Sequence, residues 1–239
     1  MNIKKFIIDK IKNIKKTDKP KIIGIDGPTA AGKTFLSKEL KLLLKKDFKT
    51  IWICQLDWTL KSRAYRTNSL KLFKNENTNF YYESQDHMDL AQIKKTLNRI
   101  NEFDYKKNQS INISLKGLYN RGTATNNLSI STKISKESLI IVEGHYTSIT
   151  ELDGVIDYNI LLLAEKKELL KRKINRVKHY RNNEDTKQYF NLIDVPSFIN
   201  HLSLFGCNYD LIVDNTDYKN PRIKDENYIH SWMKKLTEK

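Results

Sequence analysis

The chain has 239 residues, and its composition, 39% hydrophobic and 30% charged, is typical of a globular protein rather than a disordered one. With only 8 glycines and 4 prolines, a collagen-like or linker-rich chain is excluded. Lysine and arginine exceed aspartate and glutamate by 15, and 8 of the 43 basic residues are arginine. Because nucleic-acid readers rely strongly on arginine, we interpret the lysine excess as solvated surface, with an anionic partner as the alternative.

Isoleucines recur at helical spacing near the start of the chain, at positions 3, 7, 11 and 14. We expect residues 1–20 to form an N-terminal helix docked on the rest of the protein; a helix lying on a membrane surface is the alternative. No apolar run reaches the ~18–20 residues of a membrane span, and the start lacks the apolar core and cleavage site of a signal peptide. These features favour a cytoplasmic protein.

The two cysteines, Cys54 and Cys207, lie far apart and lack a CxxC spacing. Neither a disulfide framework nor a zinc site is therefore expected.

The other elements alternate between strands and helices. Apolar runs predict strands at 21–26, 50–55, 138–142, 158–163 and 211–213, and helical spacing predicts helices at 32–46, 88–100, 165–181, 185–204 and 227–236. The stretch 58–81 has no clear period, and alternation around turn residues predicts a hairpin-type insertion at 104–136. We expect one α/β domain over residues 1–239, with a mostly parallel five-stranded sheet between helical layers and a helical lid at 165–204.

A complete GxxxxGK[ST] motif follows the first strand and opens the first long helix, which is the context that a P-loop requires. Its glycines let the backbone wrap phosphates, and the free N–H groups at the helix start favour negative charge. Lys33 can reach the β- and γ-phosphates, and the Thr34 hydroxyl can bind Mg²⁺. We predict a three-layer P-loop NTPase whose nucleotide contacts are Gly27, Pro28, Thr29, Ala30, Ala31, Gly32, Lys33, Thr34 and Phe35.

Two carboxylates stand at strand ends beside this loop. Asp57 follows the second strand, where it can accept a proton from a hydroxyl and help to hold Mg²⁺. Glu143 ends a run of four apolar residues, and a buried charge there needs a partner such as magnesium. We predict Thr34, Asp57 and Glu143 as the metal site.

The scarce arginines are the informative part of the basic charge. Arg172 and Arg176 share one face of the basic helix, where lid arginines would neutralise a transferring phosphoryl group. A solvated basic face is the alternative. Arg63 and Arg66 follow Asp57 and are expected to face a polyphosphate, with Arg63 also a candidate for the acceptor site. Lys33, Asp57, Arg172 and Arg176 are thus the predicted catalytic residues.

The ordered set of motifs resembles the uridine kinase and phosphoribulokinase-like P-loop kinases over roughly residues 20–216. Its members are the P-loop, Leu56-Asp57, residues 82–89, Leu118-Tyr119, Ile141-Val142-Glu143-Gly144, the arginine helix and residues 210–215. The resemblance implies phosphoryl transfer from ATP (or GTP) with Mg²⁺ to a hydroxyl of a small metabolite, with Asp57 as base. It also implies that Glu83 binds ribose hydroxyls, that Tyr119 lies near a nucleobase, and that Arg176, Arg181 and Asn215 lie with the nucleotide.

Departures from the family pattern bear on the acceptor. No base-reading histidine follows Tyr119, Asn183 replaces an expected lid arginine, and His145 stands where the family is apolar, either touching the acceptor or packing. We expect a nucleoside acceptor such as uridine or cytidine, and a sugar, sugar phosphate or other polyol as the alternative. A basic nucleotide- or nucleic-acid-binding protein without kinase activity is the alternative of another class, and a homo-oligomer is compatible with the family.

Overall fold

The computed structural model describes residues 3–15, 18–66, 87–149, 152–206 and 209–237. The predictions for Glu83 and Cys207 lie outside these residues. The strands are β1 (Lys21–Asp26), β2 (Thr50–Gln55), β3 (Ser110–Asn120), β4 (Thr125–Ser135), β5 (Ser138–Glu143), β6 (Tyr158–Leu163), β7 (Leu211–Asp214) and β8 (Arg222–Lys224). The α-helices are α1 (Ile3–Asn13), α2 (Lys33–Leu44), α3 (Ala91–Glu102), α4 (Lys166–Val177), α5 (Asn183–Tyr189), α6 (Val195–Phe205) and α7 (Asn227–Thr237).

The main sheet has the strand order β2-β5-β1-β6-β7-β8. Its first five strands are parallel, which confirms the predicted α/β class, and β8 pairs antiparallel with β7 at the edge. The prediction of five strands did not include β8, because three residues are too short to show an alternating pattern. Since β1 lies in the interior of the sheet, the loop that follows it opens between neighbouring strand ends, where ligands bind in such folds.

Helices cover both faces of this sheet. Along β1, Ile23 and Ile25 belong to a core shared with α1, α2, α4, α6 and α7, whereas Ile22 belongs to a second core shared with α3 and the hairpin β3–β4. This alternation follows from the two-residue period of a strand, and burial on both faces explains the continuous apolar runs. Ile7 and Ile11 of α1 are buried in the first core, so the N-terminal helix docks as its spacing predicts.

The lid region departs from the prediction. The expected helix at 165–181 ends at Val177, and the expected helix at 185–204 is divided into α5, a π-helical turn over Phe190–Asp194, and α6. Pro196 lies in the first turn of α6, where its missing N–H costs nothing, and this position favours the start of a separate helix. Within the described residues, no helix is both long and apolar enough to cross a membrane.

Candidate active site

The P-loop adopts the backbone conformation that its glycines permit. Gly27 and Gly32 have φ angles of 148° and 106°, which side chains rarely tolerate. A Cβ added to Gly27 would lie 2.3 Å from the carbonyl oxygen of Leu162, so the loop packs directly against the end of β6. The loop therefore turns tightly enough to present its N–H groups and the start of α2 to one concave space.

Lys33 begins α2, and its side chain folds back over the loop. Its Nζ donates to the carbonyl oxygens of Gly27, at 2.6 Å, and Pro28, at 3.0 Å. The ammonium group is largely buried and lines the same cleft as the helix start. This places a positive charge where the β- and γ-phosphates of a nucleotide are expected.

Glu143 reaches this cleft from the neighbouring strand. In the sheet register it lies between Gln55 of β2 and Ile25 of β1, so the carboxyl ends of three strands meet here. The Thr34 hydroxyl donates to the Glu143 carboxylate at 3.0 Å, and the Gln55 amide donates to the same group at 2.8 Å. The structure therefore brings together Thr34 and Glu143, two of the three residues predicted for the metal site, and their binding of a metal remains a prediction.

The charge state of Glu143 reflects its burial. Desolvation raises the pKa of its carboxyl group, and the nearby Asp57 carboxylate acts in the same direction, whereas Lys33 and the hydrogen bonds from Thr34 and Gln55 oppose the rise. A divalent cation would favour the charged form here.

Asp57 lies in the short 3₁₀ turn over Leu56–Thr59 that follows β2, and it lines the cleft. The Arg121 guanidinium, from the turn between β3 and β4, forms an ion pair with its carboxylate. Arg121 was not predicted as a site residue, because no local pattern shows that the hairpin turn folds back over residue 57. The available signal in the sequence was that arginine is scarce in this chain, so that each arginine is a candidate site residue.

The hydroxyl and carboxylate oxygens that face this cleft are of the kind that bind Mg²⁺. A hydroxyl on Thr34 touches the carboxylate of Glu143, and Asp57 is close enough to influence the pKa of Glu143. Among the described residues, no three His, Cys, Asp or Glu side chains converge into an all-protein metal cage. Magnesium in kinases commonly relies on one or two carboxylates, with substrate phosphates and waters supplying the other ligands.

Arg176 and Arg181 approach the P-loop from the lid side. The Arg176 guanidinium donates to the Thr29 hydroxyl at 2.9 Å, and Arg181 lies 4.6 Å from the ring centre of Tyr189. Both line the cleft. They are thus placed beside the predicted nucleotide phosphates, and their roles there remain predictions.

Arg172 has a different environment. Its guanidinium donates to Glu168 and to the carbonyl oxygens of Asn215 and Thr216, each within 2.9 Å. These bonds tie α4 to the loop after β7. Asn215 in turn donates to the carbonyl oxygen of Ala31 at 2.7 Å, so both residues support the P-loop backbone. A direct contact of Arg172 with a phosphoryl group remains a prediction.

A buried ion pair closes the lid side of the cleft. Lys173 contacts the Asp194 carboxylate, and the Lys173 ammonium lies 4.5 Å from the ring centre of Tyr189. In the sequence Lys173 is one of many lysines on its helix, because the π-helical turn that brings Asp194 to it has no sequence signature.

The cleft has a volume of about 620 Å³, within the range for small-molecule sites. Of the predicted site residues it is lined by Thr29, Ala30, Gly32, Lys33, Thr34, Phe35, Asp57, Arg63, Glu143, His145, Arg172, Arg176 and Arg181. Gly27, Pro28, Ala31 and Asn215 are not among its lining residues.

Tyr119 does not line the cleft either. Its side chain is buried, with the Arg66 guanidinium 4.9 Å from its ring centre. His145 lies edge-on to Phe198, with 5.7 Å between the ring centres.

Asp26 lies directly behind the P-loop and is completely buried. One carboxylate oxygen accepts from the amides of Gly27 and Tyr146, and the other accepts from the Thr147 amide, His201 Nε2 and the Tyr209 hydroxyl. Burial alone would raise the pKa of this carboxyl group, but His201, Lys33 and the Gly27 amide together lower the pKa of Asp26 to about 2. The first residue of the P-loop is thereby hydrogen-bonded to a buried charge.

Solved structures with the same fold include a possible uridine kinase from Bacillus stearothermophilus, with 17% identity, a TM-score of 0.62, and coverage of 87% of this chain and 96% of that one. D-glycerate 3-kinase from Cryptococcus neoformans var. grubii has 11% identity, a TM-score of 0.60, and coverage of 94% and 100%. Phosphoribulokinase from Rhodobacter spheroides has 12% identity, a TM-score of 0.58, and coverage of 83% and 71%.

No curated protein matches the sequence significantly. The model of the phosphoribulokinase / uridine kinase family matches residues 22–218, which include the P-loop, Asp57, Glu143 and the lid helices. The chain therefore belongs to the phosphoribulokinase / uridine kinase family of P-loop kinases.

Proposed function

We propose that this protein is a kinase that transfers the γ-phosphoryl group of ATP to a hydroxyl group of a small metabolite. The observation that carries this proposal is the contact between the Thr34 hydroxyl and Glu143, in one cleft with Asp57 and Lys33. A nucleotide-binding regulator needs the phosphate loop, but it does not need a carboxylate placed to receive a proton from an acceptor. GTP as donor is the alternative that the same loop supports.

In the proposed reaction, the acceptor hydroxyl approaches from the side of Asp57. Its oxygen forms a bond to the γ-phosphorus while Asp57 accepts the hydroxyl proton, and the bond from the γ-phosphorus to the bridging oxygen breaks to release ADP. Lys33 and Arg176 stabilise the negative charge on the phosphoryl oxygens. Thr34, Glu143 and Asp57 would hold Mg²⁺, which supplies further charge neutralisation when bound.

The identity of the acceptor has two candidates. A nucleoside is supported by the family and by the fold shared with a possible uridine kinase. A non-nucleoside polyol is supported by the position of Tyr119, which is buried away from the cleft lining and offers no stacking surface there. Nucleosides and non-nucleoside polyols are therefore both included among the acceptors to be tested. A cytoplasmic setting and a homo-oligomeric state remain predictions.

The test measures ADP release with nucleosides, sugars, sugar phosphates and hydroxy acids as acceptors. Asp57→Asn should lower kcat by about 10²- to 10⁴-fold while ATP binding is kept, because general-base catalysis contributes about this much. Asp9→Asn, on the exposed face of α1, removes the same charge outside the cleft and serves as the matched control. Full acceptor-dependent turnover in Asp57→Asn would contradict the assigned role of Asp57.

A further inference from the structure

Two cations of the lid region lie over the ring of one tyrosine. The Lys173 ammonium is 4.5 Å from the ring centre of Tyr189, and the Arg181 guanidinium is 4.6 Å from it. All three side chains line the cleft. The face of an aromatic ring carries partial negative charge, so each contact is attractive, and such contacts are stronger where water is excluded. The ring therefore joins Lys173, on α4, to Arg181, in the segment between α4 and α5.

The position of Arg181 depends on this ring. Its backbone amide donates to the carbonyl oxygen of Val177, the last residue of α4, at 3.1 Å. Within the described part of the chain, however, its guanidinium forms no hydrogen bond and no ion pair, and its contact is with the Tyr189 ring. A long side chain loses rotamer freedom when a ligand orders it, and that loss weakens binding. A ring that already restricts Arg181 reduces this cost.

The neighbouring lid arginine is held in another way. The Arg176 guanidinium donates to the Thr29 hydroxyl of the P-loop at 2.9 Å. Its place in the cleft is therefore set by a hydrogen bond to the phosphate loop, and not by Tyr189. The two arginines can be distinguished by experiment for this reason.

Buried groups fix the ring of Tyr189 in turn. Tyr189 is the last residue of α5, and the π-helical turn over Phe190–Asp194 follows it directly. This turn brings the Asp194 carboxylate to the Lys173 ammonium, and the two side chains are only 3% and 5% exposed. Loss of one partner would leave a buried charge, so the pair resists displacement. Single π-helical turns are frequent at functional sites, and this one sets the ring against the cleft.

The ion pair also reduces repulsion around the ring. Lys173 and Arg181 carry like charges, and both lie over Tyr189. Asp194 compensates the charge of Lys173, so Arg181 can approach the same ring at a smaller electrostatic cost. The charge of Arg181 is then directed at the cleft, where an anion would meet it.

We propose that Tyr189 is a positioning residue for nucleotide binding, whose ring, fixed by the Lys173–Asp194 pair, holds Arg181 in the cleft where the phosphates of ATP bind. This inference rests on the proposed kinase function, for which Arg181 is a predicted nucleotide contact. It deepens that function by naming the side chain that orders a lid arginine before the nucleotide arrives. Tyr189 acts through Arg181 and requires no contact of its own with the nucleotide.

Nucleotide binding tests the inference without requiring turnover. Calorimetry measures the affinity for a non-hydrolysable ATP analogue with Mg²⁺, and circular dichroism confirms that each variant is folded. Tyr189→Leu should weaken the analogue by about three- to thirtyfold, the equivalent of one cation–π contact, and by no more than Arg181→Gln does. Tyr189→Phe keeps the face of the ring and should bind within about twofold of the wild type.

A double-mutant cycle separates positioning from general damage to the lid. Once Arg181→Gln is present, adding Tyr189→Leu should change the affinity by less than about twofold, whereas in Arg176→Gln it should keep its full effect. Tyr228→Leu is the matched control, because it removes a tyrosine on α7 whose ring centre lies 4.9 Å from the Lys224 ammonium, outside the cleft lining. It should leave binding of the analogue unchanged.

The possible outcomes are distinct. The inference is overturned if Tyr189→Leu or Arg181→Gln leaves binding of the analogue unchanged, if Tyr189→Leu weakens it equally with and without Arg181, or if Tyr189→Phe weakens it as much as Tyr189→Leu. The expected cycle without ADP release from any acceptor would keep the positioning role and refute the kinase. ADP release by the wild type without coupling between Tyr189 and Arg181 would keep the kinase and refute the positioning role.

Discussion

The buried carboxylate of Asp26 allows a quantitative prediction about the stability of the P-loop region. Its two oxygens accept five hydrogen bonds, from the amides of Gly27, Tyr146 and Thr147 and from the side chains of His201 and Tyr209. Asp26→Asn replaces one oxygen with an NH₂ group that faces donors and removes the charge that His201 and Lys33 stabilise. We expect a loss of about 3–5 kcal/mol in the free energy of unfolding, the usual cost of removing one partner from a buried charged network.

The same carboxylate gives this loss a pH dependence. The pKa of Asp26 is about 2 in the folded chain against an ordinary value of 3.8, so its contribution is complete above the ordinary pKa and disappears as the pH falls towards 2. The total contribution is about 2.5 kcal/mol, of which about 1 kcal/mol is lost between pH 5 and pH 3. The stability difference between the wild type and Asp26→Asn should narrow by that amount over this interval.

Urea unfolding followed by circular dichroism at several pH values measures both effects. Tyr209→Phe serves as the comparison variant. It removes one of the five hydrogen bonds to Asp26 together with the bond that Ser148 donates to the same hydroxyl, keeps the carboxylate, and should cost about 1–3 kcal/mol. A loss below about 1 kcal/mol for Asp26→Asn at neutral pH would refute the reasoning. A difference between wild type and variant that stays constant from pH 5 to pH 3 would refute the assigned pKa.

Three further predictions concern the site and its supports. Glu143→Gln should raise the Mg²⁺ concentration needed for half-maximal turnover at least tenfold, because it removes the charge of a proposed metal ligand beside Thr34. A magnesium titration at fixed ATP measures this, and an unchanged titration would exclude Glu143 from the metal site. Gly27→Ala should abolish measurable ATP binding in an equilibrium assay, since its Cβ would lie 2.3 Å from the Leu162 carbonyl oxygen; near-normal affinity would contradict the loop conformation. Ile7→Ala should destabilise the protein by about 2–5 kcal/mol in urea unfolding, because Ile7 is buried in the core beneath α1; a cost near zero would show that the helix does not dock.

The sequence predicted those parts of the site that are local in the chain. The P-loop is eight consecutive residues between a strand and a helix, and Glu143 ends an apolar strand, so both have signatures that require no knowledge of the tertiary structure. The docking of α1 was predicted for the same reason, since its isoleucines lie on one helical face.

Contacts between distant segments were not predictable in this way. Arg121 meets Asp57 only because the turn of a two-stranded hairpin folds back over the segment after β2. Lys173 meets Asp194 only because a π-helical turn interrupts the expected helix at 185–204. Tyr119 is buried on the hairpin beneath the Arg66 guanidinium, a contact that no period of the sequence reveals, and its expected place beside a nucleobase remains a prediction.

The most direct test of the proposed kinase follows the γ-phosphoryl group itself. The protein is incubated with Mg²⁺, ATP labelled on the γ-phosphate and each acceptor of the panel, and the labelled products are separated and identified. Phosphoryl transfer predicts that the label appears in a phosphomonoester of one acceptor, in amounts equal to the ADP formed, and that Lys33→Ala abolishes it. Label found only in inorganic phosphate, or unchanged product formation by Lys33→Ala, would contradict it.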